Sequence, residues 1–218
     1  MADTLPLPAF APAVPPPAAS SPAASSPAAA ALPHRYDGVT IALHWASAGL
    51  IGLVWVLGQT RFFWPAGAPR SAVISLHILI GLAILAMLAA RITWRLGRGR
   101  RLPPVGQGLA AAGARAGHLA LYGLMGLTLL AGLSGVLGHG FTLFGTHLLP
   151  PLTLAGSAIL KFAGGWHGVF ANLLVLLAAG HAGTALYHRI VLRDATLARM
   201  LPRSFAGRES SPCSVYDV

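Results

Sequence analysis

Four long apolar segments, at about residues 40–60, 72–92, 117–138 and 167–190, contain no acidic side chain and are rich in Leu, Ala, Ile, Val and Gly. At a rise of about 1.5 Å per residue, each is long enough as a helix to cross roughly 30 Å of hydrocarbon. The expected fold is therefore all-α, a transmembrane four-helix bundle. Composition agrees: 55% of residues are hydrophobic and 9% charged, against roughly 25% charged in a soluble domain.

A further apolar stretch, 141–160, is a candidate fifth span, but Pro150-Pro151 at its centre argues against a continuous helix. Charge decides the matter. With four spans, one side collects Arg35, Arg91, Arg95, Arg98, Arg100, Arg101, Arg115, Arg189, Arg193, Arg199, Arg203 and Arg208, while the other holds Arg61, Arg70 and Lys161. The positive-inside bias then puts both termini in the cytoplasm and makes 139–165 an external, interfacial segment. The stretch from Arg95 to Arg115, with Pro103 and Pro104, reads as a basic solvent loop. Residues 1–33 are Pro/Ala/Ser-rich and read as a disordered tail, 34–203 as the four-span domain and 204–218 as a cytoplasmic tail.

The acidic residues Asp3, Asp37, Asp194, Glu209 and Asp217 all lie outside the spans, which excludes paired-carboxylate catalysis, a carboxylate-bridged di-iron centre and a buried carboxylate proton relay. The single cysteine, Cys213, leaves no intramolecular disulfide, CxxCH haem attachment or four-thiolate iron–sulfur site. A net charge of +10 is accounted for by arginines at span ends rather than by nucleic acid.

Histidine is the remaining chemical resource. Imidazole inside a bilayer is costly unless paired, hydrogen-bonded or ligating, and His44, His77, His167 and His181 all fall within spans. His181 follows His167 by fourteen residues, about 21 Å of helix and nearly a whole number of turns, so one helix offers an imidazole at each of two depths on one face. The topology matches His77 with His167 at the outer level and His44 with His181 at the inner one. Two opposed pairs of imidazoles in an apolar bundle are the donor set for two b-type haems, and two axial histidines leave no open iron position, which suits electron transfer. His118 and His188 lie near enough to the inner level to stand in for an inner ligand. A metal transporter fits less well, because the two levels are far apart and no carboxylate completes a coordination shell. Arg91, fourteen residues after His77, and Arg61 at the outer end of the first span read either as partners for haem propionates or as interfacial anchors. Gly81, Gly180 and Gly183 read either as space for a flat macrocycle or as close helix packing.

Arg35-Tyr36, Ile41-Ala42-Leu43-His44-Trp45, Leu76-His77, Trp166-His167, Gly180-His181 and the closing run Asp194-Ala195-Thr196-Leu197-Ala198-Arg199-Met200-Leu201-Pro202-Arg203 together resemble the bacterial cytochrome b561 family over about residues 35–203. The resemblance implies a dihaem protein of the bacterial inner membrane that exchanges electrons with ubiquinone. It also implies oxidation of periplasmic superoxide to oxygen, with the family's ligands falling on His44, His77, His167 and His181. The long tail 1–33 and the expanded segment 139–165 depart from the family pattern. Superoxide requires a cationic outer approach, for which Arg61, Arg70 and Lys161 are the candidates, with His139 or His147 nearby. A quinone requires an apolar slot with a few polar contacts, expected near Trp64, Trp166, Arg61 and Lys161. A haem b subunit relaying electrons between quinone and a separate dehydrogenase or redox partner is the alternative function.

Overall fold

The computed structural model describes residues 35–103, 107–152 and 157–202. The expected tails at 1–33 and 204–218 lie outside the described residues, as do His34, Arg203, Arg208 and Cys213. Helix α1 runs Gly38–Thr60 and passes into a 3-10 turn at Arg61–Phe63, α2 runs Ala68–Gly97, and α3 runs Gly108–His139. Strands β1 (Phe141–Leu143) and β2 (Thr146–Leu149) follow, then α4 (Ser157–Gly165) and α5 (His167–Tyr187), which continues as a π-helical turn over His188–Leu192. A 3-10 turn at Leu197–Met200 closes the described chain. Among the described residues four helical stretches are long and apolar enough to cross a membrane, Gly38–Phe63, Ala68–Gly97, Gly108–His139 and Ala158–Leu192. The four-span all-α expectation is met.

Local chemistry sets the helix ends. Asp37 caps α1, its Oδ1 accepting from the Thr40 N–H at 2.9 Å and its Oδ2 from the Thr40 hydroxyl at 2.7 Å. Gly67, at φ 97°, turns the chain into α2, whose first turn carries a proline where no intrahelical donor is needed. At the far end of α2, the N–H groups of Arg98 and Gly99 both donate to the Trp94 carbonyl, at 3.0 and 2.6 Å. The basic loop expected from Arg95 to Arg115 is thereby corrected. Arg95 belongs to α2 and Arg115 to α3, because arginine is a good helix former and its long stem reaches water from a helix that projects beyond the hydrocarbon.

Among its described residues, segment 139–165 contains no fifth span. Its first part is an antiparallel hairpin pairing Phe141 with Leu149, Thr142 with His147 and Leu143 with Thr146. Phe144, in the tight turn at φ 49°, donates its N–H to Ser75 Oγ at 2.7 Å, and that hydroxyl donates to the Ser71 carbonyl at 2.7 Å. Ser75 is 1% exposed, so this pair of bonds fastens the hairpin to α2 with no polar group left over.

The bundle is built from two antiparallel halves. Helix α1 packs along α2, and α3 along both α4 and α5, whereas contact between the halves is sparse. Ser47, buried in the first half, donates to the Leu43 carbonyl and touches Met87. In the second half a glycine stair sets the spacing. A Cβ at Gly138 would meet Lys161 at 3.1 Å, one at Gly164 would stand 2.5 Å from the Gly135 Cα, and one at Gly132 would meet His167 at 2.9 Å. Each step of three residues down α3 is matched by a step of three along α4 into α5, which is the close approach small residues permit in membrane bundles. Ile84 and Leu88 of α2, Met125 of α3 and Leu174 of α5 form the buried cluster at the seam between the halves.

Candidate haem-binding sites

The helices bring together the histidines that the sequence pairs. At the hairpin end, the ring centroids of His77 (α2) and His167 (α5) lie 5.8 Å apart with an interplanar angle of 82°. At the opposite end, where the chain termini of the described domain meet, His44 (α1) and His181 (α5) lie 6.3 Å apart. Two metal–imidazole bonds of about 2 Å each, plus the ring radii, place opposed centroids roughly 6 Å apart. Both pairs have this spacing. All four imidazoles are half-buried.

The hairpin-end pair is held in one tautomer on each side. His77 Nδ1 is 2.9 Å from the Val54 carbonyl of α1, and His167 Nδ1 is 2.8 Å from the Thr128 carbonyl of α3. A carbonyl oxygen only accepts, so each Nδ1 carries the proton and each Nε2 keeps its lone pair for a metal. In both cases the fourth residue after the accepting carbonyl is a glycine. Cβ atoms at Gly58 and Gly132 would stand 3.1 and 2.9 Å from the Cε1 of His77 and His167. These two seats are functional positions that sequence reasoning missed; a Gly four residues from a helix carbonyl gives no signal until the neighbouring helix is known. The glycines singled out from the sequence behave differently. No atom lies within 4 Å of a Cβ built at Gly81, Gly180 or Gly183, and Gly81 lines a cavity. They leave space rather than pack helices.

That cavity is lined by both imidazoles together with Val54, Trp55, Gly81 and Thr128. It runs to Ile84, Met125 and Leu174 of the seam. A concave, apolar space with two free imidazole nitrogens fits a macrocycle bearing a central metal. The second cavity, behind the hairpin and lined by Val136, Phe141 and Pro150, contains no metal-ligating side chain.

At the opposite end His118 joins the pair, its ring centroid 5.1 Å from that of His181. Its Nδ1 is 2.6 Å from the Ala114 carbonyl. His44 and His118 thus both stand beside the His181 imidazole, at 6.3 and 5.1 Å. His188 is elsewhere, with Nδ1 2.5 Å from Asp194 Oδ2. Of the two alternatives expected for the inner ligand, the fold brings only His118 to the cluster. Arg91 is near enough to His44 and His181 to act on them electrostatically, and it stacks 5.3 Å from the Tyr122 ring centroid. Arg61 stands in the same relation to His77. Arg61 and Arg70 flank the Phe62 ring at 4.2 and 5.9 Å, whereas Lys161 sits on α4 against Gly138. Arg61 donates to the Gly58 carbonyl and Arg70 to that of Trp64. Trp64 and Trp166 are exposed, the latter stacked on Phe170.

Beneath the His44 level the closing motif forms a cap. Arg35 donates to the carbonyls of Ala198 and Leu201, Trp45 to that of Met200 at 2.7 Å, and Arg199 to that of Pro103 at 2.8 Å. Partial burial opposes ionisation of Asp37, but hydrogen bonds from Thr40, the Arg100 N–H and the Trp94 indole outweigh it and hold its pKa at about 2. The Thr196 hydroxyl, His188 and the Thr196 N–H hold Asp194 at about 2.

Two opposed imidazole pairs along one four-helix membrane bundle define a class, the membrane cytochromes b. The chain belongs to the prokaryotic cytochrome b561 family, whose model matches residues 35–203; it is a membrane haem b electron-transfer protein. It is 33% identical over 188 residues to cytochrome b561 homolog 2 of Escherichia coli (strain K12), covering 79% of this chain and 94% of that one. It is 33% identical over 175 residues to cytochrome b562 of Cereibacter sphaeroides, covering 76% and 94%. The probable superoxide oxidase CybB of Yersinia pestis is 28% identical over 179 residues, covering 78% and 97%.

Proposed function

We propose that the chain oxidises superoxide and reduces ubiquinone. In this reading His77 with His167, and His44 with His181, would hold two haem b groups, and Arg61 and Arg91 would receive their propionates. The domain 34–203 is oriented with the hairpin outside and both termini in the cytoplasm of the bacterial inner membrane, following the arginine distribution. The observation that carries the proposal is the pair of opposed imidazole couples at 5.8 and 6.3 Å. Bound haem supplies one-electron carriage between the two levels.

The chain's own residues supply the rest. Arg61 and Arg70, side by side around Phe62, attract an anion to the hairpin end next to His77, with Lys161 adding to the field. The Nδ1–H bonds of His77 and His167 fix which nitrogen faces the metal. Ile84, Leu88, Met125 and Leu174 keep water out between the levels. The balance is simple: two superoxide ions lose one electron each to give two dioxygen molecules, and one quinone takes two electrons and two protons to become quinol.

A second reading has the chain relay electrons between quinone and a separate redox protein. The exposed Phe144, Leu148 and Leu149 of the hairpin, which lies outside the four membrane-crossing stretches, support it, since an exposed apolar patch marks a contact with protein or membrane. Haem is first quantified per chain in purified protein, and in His77→Ala and His181→Ala separately. The expectation is two haems falling to about one in each variant, with superoxide-dependent quinone reduction by the wild type. Absence of haem from folded protein overturns the proposal. Inactivity of the isolated dihaem chain, together with a stoichiometric redox partner on purification, selects the second reading.

A further inference from the structure

A polar cluster lies apart from the imidazole pairs, in the groove between α1 and α5. Asn172 Oδ1 accepts from the Trp55 indole N–H at 2.9 Å and from Gln59 Nε2 at 2.8 Å. Asn172 and Gln59 are exposed on the flank of the bundle and Trp55 is half-buried. Asn172 follows His167 by five residues, about 7.5 Å along the helix. Trp55 and Ala171, the residue before Asn172, line the His77–His167 cavity. The two amides lie next to these residues on the outer flank, within the spans.

An amide on a membrane-spanning surface is costly unless it finds a partner. The indole N–H can only donate, so it fixes the orientation of the Asn172 amide with oxygen toward Trp55. Gln59 then turns its own NH₂ to the same oxygen. The consequence is a pair of outward groups that no other described residue takes up: the Asn172 Nδ2 donor and the Gln59 Oε1 acceptor. A phospholipid ester carbonyl uses only the donor. An oxidised quinone likewise takes only the donor, whereas the quinol hydroxyl takes both, accepting from Asn172 Nδ2 and donating to Gln59 Oε1.

We propose that Asn172, Gln59 and Trp55 form the head-group site of a quinone, entered laterally from the membrane between α1 and α5. The proposal rests on the reading that this chain exchanges electrons with quinone, and it locates the site away from Trp64 and Trp166. Asn172 and Gln59 are binding residues here, and Trp55 orients the Asn172 amide.

The test uses full-length protein in phosphatidylcholine nanodiscs, with decylubiquinone, and decylubiquinol on dithionite-reduced protein, as the probes and the bound ligand measured by equilibrium dialysis. Wild type, Asn172→Leu and Gln59→Leu are compared at matched haem content. The expected result is saturable binding of both forms by the wild type, weakened about tenfold in Asn172→Leu and, in Gln59→Leu, weakened severalfold for the quinol alone, with unchanged haem spectra and dithionite reduction. Repeating the assay in ether-linked phosphatidylcholine, which lacks the ester carbonyl, leaves these values unchanged. Equal quinone binding by wild type and both variants overturns the site alone, and the more so if the variants instead lose an ester-dependent bound lipid. No saturable binding by the haem-loaded wild type overturns the site together with the quinone reading beneath it. Should Asn172→Leu fail to fold, Gln59→Leu at the exposed edge decides by its binding of decylubiquinol: a severalfold loss is expected, and unchanged binding overturns the site.

Discussion

Gly132 on α3 and His167 on α5 are fitted to each other, for a Cβ at position 132 would stand 2.9 Å from both Cε1 and Nδ1 of the imidazole. The contact is with the Nδ1–Cε1 edge of the ring, whose Nδ1 is held by the Thr128 carbonyl, so the ring cannot retreat without losing that bond. Gly132→Ala is expected to displace His167 and remove about one haem per chain while sparing the other. Gly58→Ala, whose Cβ would stand 3.1 Å from His77, has the same effect in weaker form. Haem quantification against polypeptide checks both, and an unchanged stoichiometry in Gly132→Ala counts against ligation by His167.

Arg91 bears on the other level. A cation beside a haem stabilises its reduced form, so Arg91→Gln is expected to lower the potential of the haem held by His44 and His181. A shift of some tens of millivolts is expected, where 59 mV is tenfold in the one-electron equilibrium. Arg61→Gln acts in the same direction on the other haem. A redox titration resolving two components gives the answer; a shift in the wrong component contradicts the assignment of level.

The cap beneath His44 has an acid limit. Asp37 and Asp194 both have folded-state pKa values lowered to about 2 from ordinary values near 4. The stability they contribute is present above about pH 4 and is lost as pH falls through about 2. Hydrogen exchange at Thr40, Arg100 and Thr196 amides is expected to accelerate in that window, before the bundle itself unfolds. Protection that persists below pH 2 argues against the two carboxylates as the anchors.

Asp37→Ala removes the α1 cap and the bonds to Trp94 and Arg100 at once. Loss of an N-cap alone costs about 0.5–2 kcal/mol. Thermal unfolding of the variant is expected to begin at a lower temperature with haem content unchanged at the start. An unchanged midpoint would mean that Arg35 and Trp45 hold the cap without it.

The bundle was legible in the sequence because its two rules are crude and strong: acid-free apolar runs of about twenty residues, and fourteen residues between His167 and His181. Those alone anticipate which imidazoles meet. Helix ends were less legible, since Arg95 and Arg115 are charged yet helical, and charge marks the membrane boundary rather than the end of a helix. The hairpin was hidden because strands of three and four residues gain their stability from Ser75, a partner nearly seventy positions away. Gly58, Gly132 and Asn172 were hidden for a related reason. Their roles are defined by what the facing helix presents, and a chain with 26 glycines does not say which ones face an imidazole.

The sparse seam between the halves acquires meaning from where the histidines stand. His44 and His77 belong to one half and His167 and His181 to the other, so each imidazole couple spans the seam. A group gripped by such a couple is a cross-link as well as an electron carrier. In the proposed reading, each haem bound would tie one half of the bundle to the other, and haem binding would stabilise their association.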